Sequence, residues 1–314
     1  MKIESNKGMS DLKNAIITFD TQKNFSFWRT VYSHGWCSLP PFCVDKEHRA
    51  LNRIFALRNG SLVHCQISGQ KDSKLEINAQ SSSLLSTLHR SEIIRQVSSC
   101  LRLNEDFSDF YRETRRYPNY RWIAKAKAGR MLRSPSVFED VVKMICTTNC
   151  SWSLTEIMVK NLVEKLGTAF DGSHKSFPSP EALAGISESY LRKNIKAGYR
   201  SPFLLEFAKR VASGTLDVEC WRSSKRTTEE LFQELRSIKG VGVYSAGNIL
   251  KLLGRYDYLG LDSWVRAKYY EMYHHGRIVN DRTIERRYMQ FGKWRGLFFW
   301  LEMTKHRLKQ DIPF

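Results

Sequence analysis

The stretch LFQELRSIKGVGVYSAGNILKLLG, residues 231–254, contains two helical patterns separated by a very short turn. The first pattern runs to Ile238, and the second begins directly after Gly240, Val241 and Gly242. Two glycines around one aliphatic residue allow a tight turn with a bare backbone. The amides of such a turn, with a helix N-terminus behind them, form an anion site that a nucleic-acid phosphate can approach closely. The alternative is a purely structural αα-hairpin in which the glycines only make the turn.

An aspartate follows this hairpin at a short distance along the chain. Asp262 lies twenty residues after Gly242, in YLGLDSWVRAKYY, just before another helical pattern. An isolated acid in this place is ordinarily the N-cap of the helix that follows it. The functional alternative depends on the combination of this aspartate with the hairpin.

The pattern LxxIxGVGxxxA resembles the helix-hairpin-helix (HhH) motif of DNA repair proteins. With the short connector and Asp262, the chain resembles the HhH-GPD superfamily of base-excision DNA glycosylases, in which this aspartate is catalytic. The family often has Pro-Val-Asp where this chain has Gly260-Leu261-Asp262. The resemblance covers roughly residues 130–305. The N-terminal part is more loosely similar to the antiparallel sheet domain of 3-methyladenine glycosylase II and 8-oxoguanine glycosylases.

The resemblance implies cleavage of an N-glycosidic bond. This step develops positive charge on the sugar, and a carboxylate, here Asp262, can stabilise that charge or activate a water. Bifunctional members carry a Schiff-base lysine two residues after the second glycine, where this chain has Tyr244. The resemblance therefore implies a monofunctional enzyme without lysine-dependent AP lyase activity, with Tyr244 and Trp264 beside the flipped base. Lys239 and Lys251 do not match that position, and we expect both to be solvated.

Two segments are expected to contact DNA. In the first, the hairpin, the expected contacts are Lys239, Gly240, Val241 and Gly242. The second is CTTN, residues 146–149, which matches the turn that inserts into the duplex in 8-oxoguanine glycosylases. Thr148 and Asn149 are the predicted contacts there, with Asn149 filling the gap left by the flipped base. The alternative is that Asn149 is an Asx cap for the helix beginning near Ser151.

No cofactor is required by this interpretation. In the family the hairpin can bind a monovalent cation, Na⁺ or K⁺, through backbone carbonyls, which Arg236, Ile238 and Val241 would supply here. Related glycosylases carry a C-terminal four-cysteine iron–sulfur cluster, but no cysteine follows Cys220 in this chain, which excludes such a cluster. The sequence also lacks HExxH and paired CxxC motifs that would suggest catalytic zinc.

The 314-residue chain is strongly basic, since 50 Lys+Arg against 32 Asp+Glu give a net charge of +18. A protein this basic most often meets a polyanion, although an ordinary basic enzyme is the alternative. We expect double-stranded DNA containing a damaged base as the partner, bound by a monomer. No apolar run is long enough to span a membrane, and the start lacks a signal-peptide pattern. Seven cysteines, an odd number, suggest reduced thiols in an intracellular protein of the nucleus, or of the nucleoid and cytoplasm.

The predicted fold is mainly α with an N-terminal antiparallel β region. The stretches AIITFD, NRIFALR, SLVHCQIS and KLEINAQ read as strands, and Asn59-Gly60 between the middle two is a strong hairpin signal. We predict a flexible N-terminus over 1–13 and an antiparallel β domain with a flanking helix over 14–100. The helical HhH-GPD glycosylase body would follow over 101–314 and contain the hairpin of 231–254.

The first functional hypothesis is a monofunctional DNA glycosylase of base excision repair. The favoured substrate is an alkylated purine such as 3-methyladenine, because a cationic base leaves easily and an aromatic pocket with one aspartate suffices. An 8-oxoguanine glycosylase is the alternative, supported by CTTN and the β region and opposed by the missing lysine. A non-catalytic HhH damage sensor is a third hypothesis, against which the presence of Asp262 argues.

Overall fold

A computed structural model describes residues 12–70 and 73–306. The predicted flexible N-terminus, residues 1–13, lies almost entirely outside the described residues. An antiparallel sheet of five strands forms first, in the order β1-β5-β4-β3-β2. The strands are β1 Lys13–Asp20, β2 Cys43–Asp45, β3 Ala50–Ala56, β4 Leu62–Gln70 and β5 Lys74–Ser81.

The turn between β3 and β4 is the predicted Asn59-Gly60 hairpin. The Leu57 amide donates to the Ser61 carbonyl at 2.8 Å, and the pairing begins with Ala56 opposite Leu62. The four predicted strands are present, and the three-residue β2 adds a fifth that pairs with β3. A strand this short shows too little alternation to be predicted from its sequence.

The sheet buries one face, as the alternation of its side chains requires. Along β5, Leu75, Ile77 and Ala79 are buried while the residues between them are half-buried. This face shares a continuous hydrophobic cluster with the helices that follow. The sheet therefore packs against the helical part of the chain.

Helices make up most of the remaining described structure, and none of them is long and apolar enough to cross a membrane. This confirms the prediction of a mainly α fold with an N-terminal antiparallel region. The helices are α1 Phe27–Val31, α2 Thr87–Cys100, α3 Ser108–Arg116, α4 Arg121–Lys125, α5 Val137–Cys146, α6 Trp152–Leu166, α7 Pro180–Ala184, α8 Glu188–Tyr190, α9 Ser201–Ala212, α10 Thr228–Arg236, α11 Val243–Leu253, α12 Ser263–His274, α13 Asp281–Tyr288 and α14 Arg295–Met303.

The helices pack into two hydrophobic clusters. The first joins the sheet to α2, α5, α6, α9, α10 and α11. The second contains α3, α4, α12, α13 and α14, together with Tyr256, Leu259 and Leu261 of the connector after α11. Asp262 directly follows this connector, so it lies where the two clusters meet.

A buried ion cluster ties the sheet to α5. Arg53 on β3 donates to both carboxylate oxygens of Glu139, at 3.0 and 2.6 Å. The Lys143 ammonium, one turn further along α5, lies 2.7 Å from the same carboxylate. Paired charges of this kind fix the position of β3 on α5 because either partner alone would be a buried charge.

Candidate active site and nucleic-acid interface

The predicted helix–turn–helix is formed by α10, the turn at 237–242 and α11. Gly240 adopts φ +86°, and a Cβ atom there would lie 2.8 Å from the Phe203 ring. Gly242 is extended and exposed and is the N-cap of α11. Because Gly242 has no side chain to cap the first amides, they point outward as an anion-binding helix start does.

Side chains around the turn divide between the interior and the surface. Lys239 is 66% exposed and forms an ion pair with Glu206 at 2.8 Å. The Val241 side chain is buried, and its amide donates to the Ile238 carbonyl at 3.0 Å. Val241 can therefore offer DNA only backbone atoms. The contacts predicted for these residues, and the cation expected at the carbonyls of Arg236, Ile238 and Val241, stay predictions.

Asp262 is the N-cap of α12. Its Oδ1 accepts the Val265 amide at 2.7 Å, and the residue is half-buried. The capping interpretation and the catalytic one therefore apply to the same side chain. A cap holds the carboxylate in one orientation and places it at the positive end of a helix, where an anion is stabilised.

Tyr244 lies in the first turn of α11, between Asp262 and the turn that follows α5. The Asp262 charge and the Thr147 side chain both act on its hydroxyl, and burial together with the charge of Asp262 raises the pKa of Tyr244 to about 12. The phenol is therefore protonated at neutral pH and can donate a hydrogen bond. Tyr244 thus lies near both Asp262 and the turn at 147–150, and its contact with a flipped base stays a prediction.

The turn at 147–150 is stabilised by hydrogen bonds from residues 199 and 200. The carbonyl of Thr148 accepts a hydrogen bond from the Arg200 guanidinium and another from the Tyr199 hydroxyl, the latter at 3.2 Å. Asn149 is exposed in the left-handed region at φ +45°. Ser151, not Asn149, caps α6, since its side chain accepts the Leu154 amide. The capping alternative for Asn149 is therefore wrong, and its contact with DNA stays a prediction.

The tryptophans of α6, α12 and α14 differ in their surroundings. Trp264 is 36% exposed, two residues after Asp262 at the start of α12. Trp152 begins α6 and packs on Gly35, where a Cβ atom would lie 2.3 Å from the indole ring. Trp300 donates its ring N–H to the Ser33 carbonyl at 3.0 Å. The contact of Trp264 with a flipped base stays a prediction.

The expectation that Lys251 is solvated is wrong. Lys251 is fully buried, and its ammonium donates to the Leu259 carbonyl and to Asn248 Oδ1, the latter at 3.1 Å. Burial lowers the pKa of Lys251 to about 7, although the charge of Asp262 opposes the change. The sequence does contain a signal, because Tyr244, Asn248 and Lys251 are spaced four and three apart and so share one face of α11.

His34 is a second group that the sequence did not indicate, and its side chain is half-buried. Its Nδ1 is 3.0 Å from Ser33 Oγ, and within the described structure its buried Nε2 has no hydrogen-bond partner. Burial lowers the pKa of His34 to about 3, and the charges of Arg102, Lys143 and Lys251 add to this effect. The imidazole is therefore neutral, and the charge of the Lys251 ammonium acts on it.

Metal ligation finds no support among the described side chains. No group of three or more His, Cys, Asp or Glu residues in 12–70 and 73–306 is placed to hold a metal ion. All seven cysteines are free thiols. Cys146 and Cys150, four residues apart, are joined instead by a hydrogen bond from the Cys150 thiol to the Cys146 carbonyl at 3.2 Å.

The chain has the same overall fold as known structures of DNA glycosylases. The chain is similar to a 3-methyladenine DNA glycosylase from Archaeoglobus fulgidus, with 20% identity over 92% of this chain and 98% of that one and a TM-score of 0.72. It is also similar to MBOgg1 in complex with a low-affinity DNA ligand, with 20% identity, 93% and 96% coverage and a TM-score of 0.70.

A third similar structure is the apo form of the 8-oxoguanine glycosylase/lyase of Clostridium acetobutylicum. It shares 17% identity over 94% of this chain and 98% of that one, with a TM-score of 0.68. No protein-family model matches the sequence, and no curated protein matches it. At these identities the likeness is one of fold, which extends over nearly the whole chain.

Proposed function

We propose that this protein is a DNA N-glycosylase of base excision repair that uses Asp262 to release a damaged base from double-stranded DNA. The observation that carries the proposal is the position of Asp262. Its carboxylate is fixed by the Val265 amide at the start of α12, and its charge acts on the hydroxyl of Tyr244. The fold shared with 3-methyladenine and 8-oxoguanine glycosylases supports the same activity.

In the proposed reaction the bond between the base nitrogen and the sugar C1′ breaks, and the electron pair leaves with the base. The sugar develops oxocarbenium character, which the Asp262 carboxylate stabilises electrostatically. A water then adds at C1′ and loses its proton, for which Asp262 is the nearby acceptor. One carboxylate oxygen is held by the helix cap, and the other is left for this chemistry.

We infer that the enzyme is monofunctional. Schiff-base formation needs a free amine in the position that Tyr244 occupies, and a phenol with a raised pKa cannot replace it. The Lys251 amine is engaged with the Leu259 carbonyl and Asn248. Base release should therefore leave an intact abasic strand.

The proposed substrate class is alkylated purine, such as 3-methyladenine. A cationic base is attracted to the face of an aromatic ring and needs little further activation to leave. Tyr244 and the partly exposed Trp264 are the aromatic residues proposed to contact it. 8-Oxoguanine is the second candidate, favoured by the exposed Asn149 in the 147–150 turn and by the similarity to 8-oxoguanine glycosylases.

DNA would be held by the hairpin and by the basic surface of a monomer. The outward amides after Gly242 and the exposed Lys239 would bind phosphate, and the net charge of +18 would attract the duplex. The target base must then leave the stack to reach Asp262. Asn149 is proposed to occupy the space that it leaves.

The test is base release by the wild type and by Asp262→Asn from duplexes that contain 3-methyladenine or a stable analogue, 7-methylguanine, 8-oxoguanine, uracil or hypoxanthine. Asparagine is as good an N-cap as aspartate, so the variant keeps α12 and loses only the charge. We expect release to fall by at least about 100-fold while duplex binding remains.

A matched control is Asp109→Asn, because Asp109 is an exposed carboxylate in the first turn of α3 that pairs with Arg112 at 2.7 Å. This control should release base at the wild-type rate. Retained activity in Asp262→Asn would remove Asp262 from the mechanism. Tight binding by a wild type that releases no base would favour the damage-sensor hypothesis instead.

A further inference from the structure

One face of α11 points at the segment that leads to Asp262. Tyr244, Asn248 and Lys251 lie along this face, spaced four and three residues apart. The first of them borders Asp262, as described above. The other two carry polar side chains into the meeting place of the two hydrophobic clusters, where a buried lysine is costly and needs a physical reason.

The two side chains hold consecutive carbonyl groups of the connector. The Lys251 ammonium donates to the Leu259 carbonyl and also to Asn248 Oδ1. The amide nitrogen of Asn248 donates to the Gly260 carbonyl at 3.2 Å and to the Tyr244 carbonyl at 3.0 Å. The backbone two and three residues before Asp262 is therefore fastened to α11 by side chains.

The backbone conformation of Gly260 and its lack of a side chain allow these two hydrogen bonds. Its φ is +62°, and a Cβ atom there would lie 2.7 Å from Asn248 Nδ2 and 2.9 Å from Lys251 Nζ. Proline, which the resembled family often has at this point, is confined to φ near −65° and cannot adopt this path. Gly260, Asn248 and Lys251 thus form one unit, in which the glycine makes room and the two side chains supply the bonds.

We propose that Lys251 is a positioning residue for Asp262, which with Asn248 fixes the connector so that the carboxylate is held toward the reacting sugar. The catalytic purpose of this orientation rests on the proposed function. The hydrogen bonds that hold the connector to α11 do not depend on that function. Lys251 does not touch the substrate in this role. It acts on Asp262 through Leu259, Gly260 and Leu261.

The positive charge of Lys251 strengthens its hydrogen bond to the connector. Bonds from an ammonium to a carbonyl are stronger than those from a neutral amine. The groups around it are the Asp262 carboxylate at the start of α12, the neutral His34 imidazole, and the Trp300 ring of α14, whose centroid is 5.9 Å from Nζ. Arg102 lies behind it, bonded to the carbonyl of Lys251 itself at 2.9 Å. Because its pKa is about 7, Lys251 loses this charge as the pH rises through neutrality.

The activity test compares wild type, Lys251→Met and Lys160→Met in single-turnover base release. Lys160 is an exposed lysine on α6 that pairs only at 3.6 Å with Glu164, and it serves as the matched control. We expect Lys251→Met to lower the rate by roughly 100-fold, the effect of an ångström-scale misplacement of a catalytic group. The affinity for the duplex should be unchanged, because Lys251 does not reach the surface.

The pH dependence of the base-release rate distinguishes a positioning role from a purely structural one, because a purely structural lysine would not affect it. The wild-type rate should fall by about threefold or more as the pH rises from 6 to 9, because the charge-assisted bonds to the connector weaken. Lys251→Met should have a low rate that does not decrease further between pH 6 and 9. A wild-type rate that is flat between pH 6 and 9 would overturn the role of the charge.

A measurement without substrate separates this inference from the proposed function. The Val265 amide, bonded to Asp262 Oδ1, should exchange its hydrogen at least about tenfold faster in Lys251→Met than in the wild type or Lys160→Met. If the wild type releases no base, the proposed function fails and the exchange rates still decide the role of Lys251. Should Lys251→Met not fold, Asn248→Ala removes the second fastening and must show the same faster exchange. Wild-type exchange and rates in these variants would overturn the proposal.

Discussion

Removing the charge of Glu139 tests how the sheet is fixed to the helices. Glu139 on α5 accepts two hydrogen bonds from Arg53 on β3 and a contact from Lys143 one turn further on. Arg53 and Glu139 are both 3% exposed, and Lys143 is fully buried. Glu139→Gln keeps the size of the side chain and removes the carboxylate that both buried cations contact.

The structure gives two routes to the magnitude. Removing one member of a buried pair typically destabilises a protein by about 3–5 kcal/mol. Burial alone would raise the pKa of Glu139, but the charges of Arg53 and Lys143 hold it down to about 2, against 4.5 for the free side chain. At ~1.4 kcal/mol per pH unit this difference corresponds to about 3 kcal/mol. We therefore expect Glu139→Gln to lower the free energy of unfolding by about 3 kcal/mol or more.

The sign of the pH dependence follows from the same pKa. The folded protein holds Glu139 ionised between about pH 2 and pH 4.5, where the unfolded chain takes up a proton. The stabilisation is therefore complete above pH 4.5 and is lost as the pH falls toward 2. Urea unfolding followed by circular dichroism at pH 7 and at pH 3 measures both effects, and the variant should lose less stability than the wild type on acidification.

The matched control is Glu164→Gln, which removes an exposed carboxylate from the i,i+4 pair with Lys160 on α6. An exposed pair of this kind contributes about 0.5 kcal/mol or less, so this variant should unfold like the wild type. If Glu139→Gln were within about 1 kcal/mol of the wild type at pH 7, with the same response to acid, the buried pair would not be what fixes β3 on α5.

Two further predictions concern the proposed interaction with DNA. Sodium borohydride should trap no covalent complex with abasic DNA, because Tyr244 replaces the nucleophilic lysine and the Lys251 amine is buried; a strong adduct would show that a lysine does attack the sugar. Duplex affinity should fall steeply with salt, and Lys239→Met should reduce the log–log slope by about 1; a salt-independent affinity would contradict binding through phosphates.

The features that could be predicted from the sequence are those encoded locally. The Asn59-Gly60 hairpin depends on two adjacent residues between alternating strands, and the structure forms it. The glycines of the α10–α11 turn and the acid before α12 are local signals as well, since each acts on the backbone within a few residues. The resemblance then assigned a role to Asp262 that its local pattern alone could not distinguish from a cap.

The features that were missed depend on contacts between distant segments. Lys251 looked like a surface lysine because the sequence does not show that its face of α11 is covered by the connector, or that Trp300 lies over it. His34 is 217 residues from Lys251 in sequence, and the Lys251 charge acts on it only in the folded chain. Whether a polar side chain is buried depends on how whole helices and strands pack. Residue spacing shows only which side chains share a face of a helix, not what covers that face.

The arrangement of α11 explains why the proposed recognition and chemistry would act as one unit. The amides that would bind phosphate lie at the start of the helix, after its N-cap Gly242, and Tyr244 lies in the first turn near Asp262. Lys251 is nine residues after Gly242, which is about 13 Å along the helix axis. Its far end is held by Arg102, which donates to the carbonyls of Lys251 and Leu252. An α-helix packed on both sides does not stretch, so the distance from the phosphate site to the fastening of the Asp262 connector is fixed. A duplex seated on the hairpin would therefore meet the carboxylate in one register, without a separate motion to bring the two together.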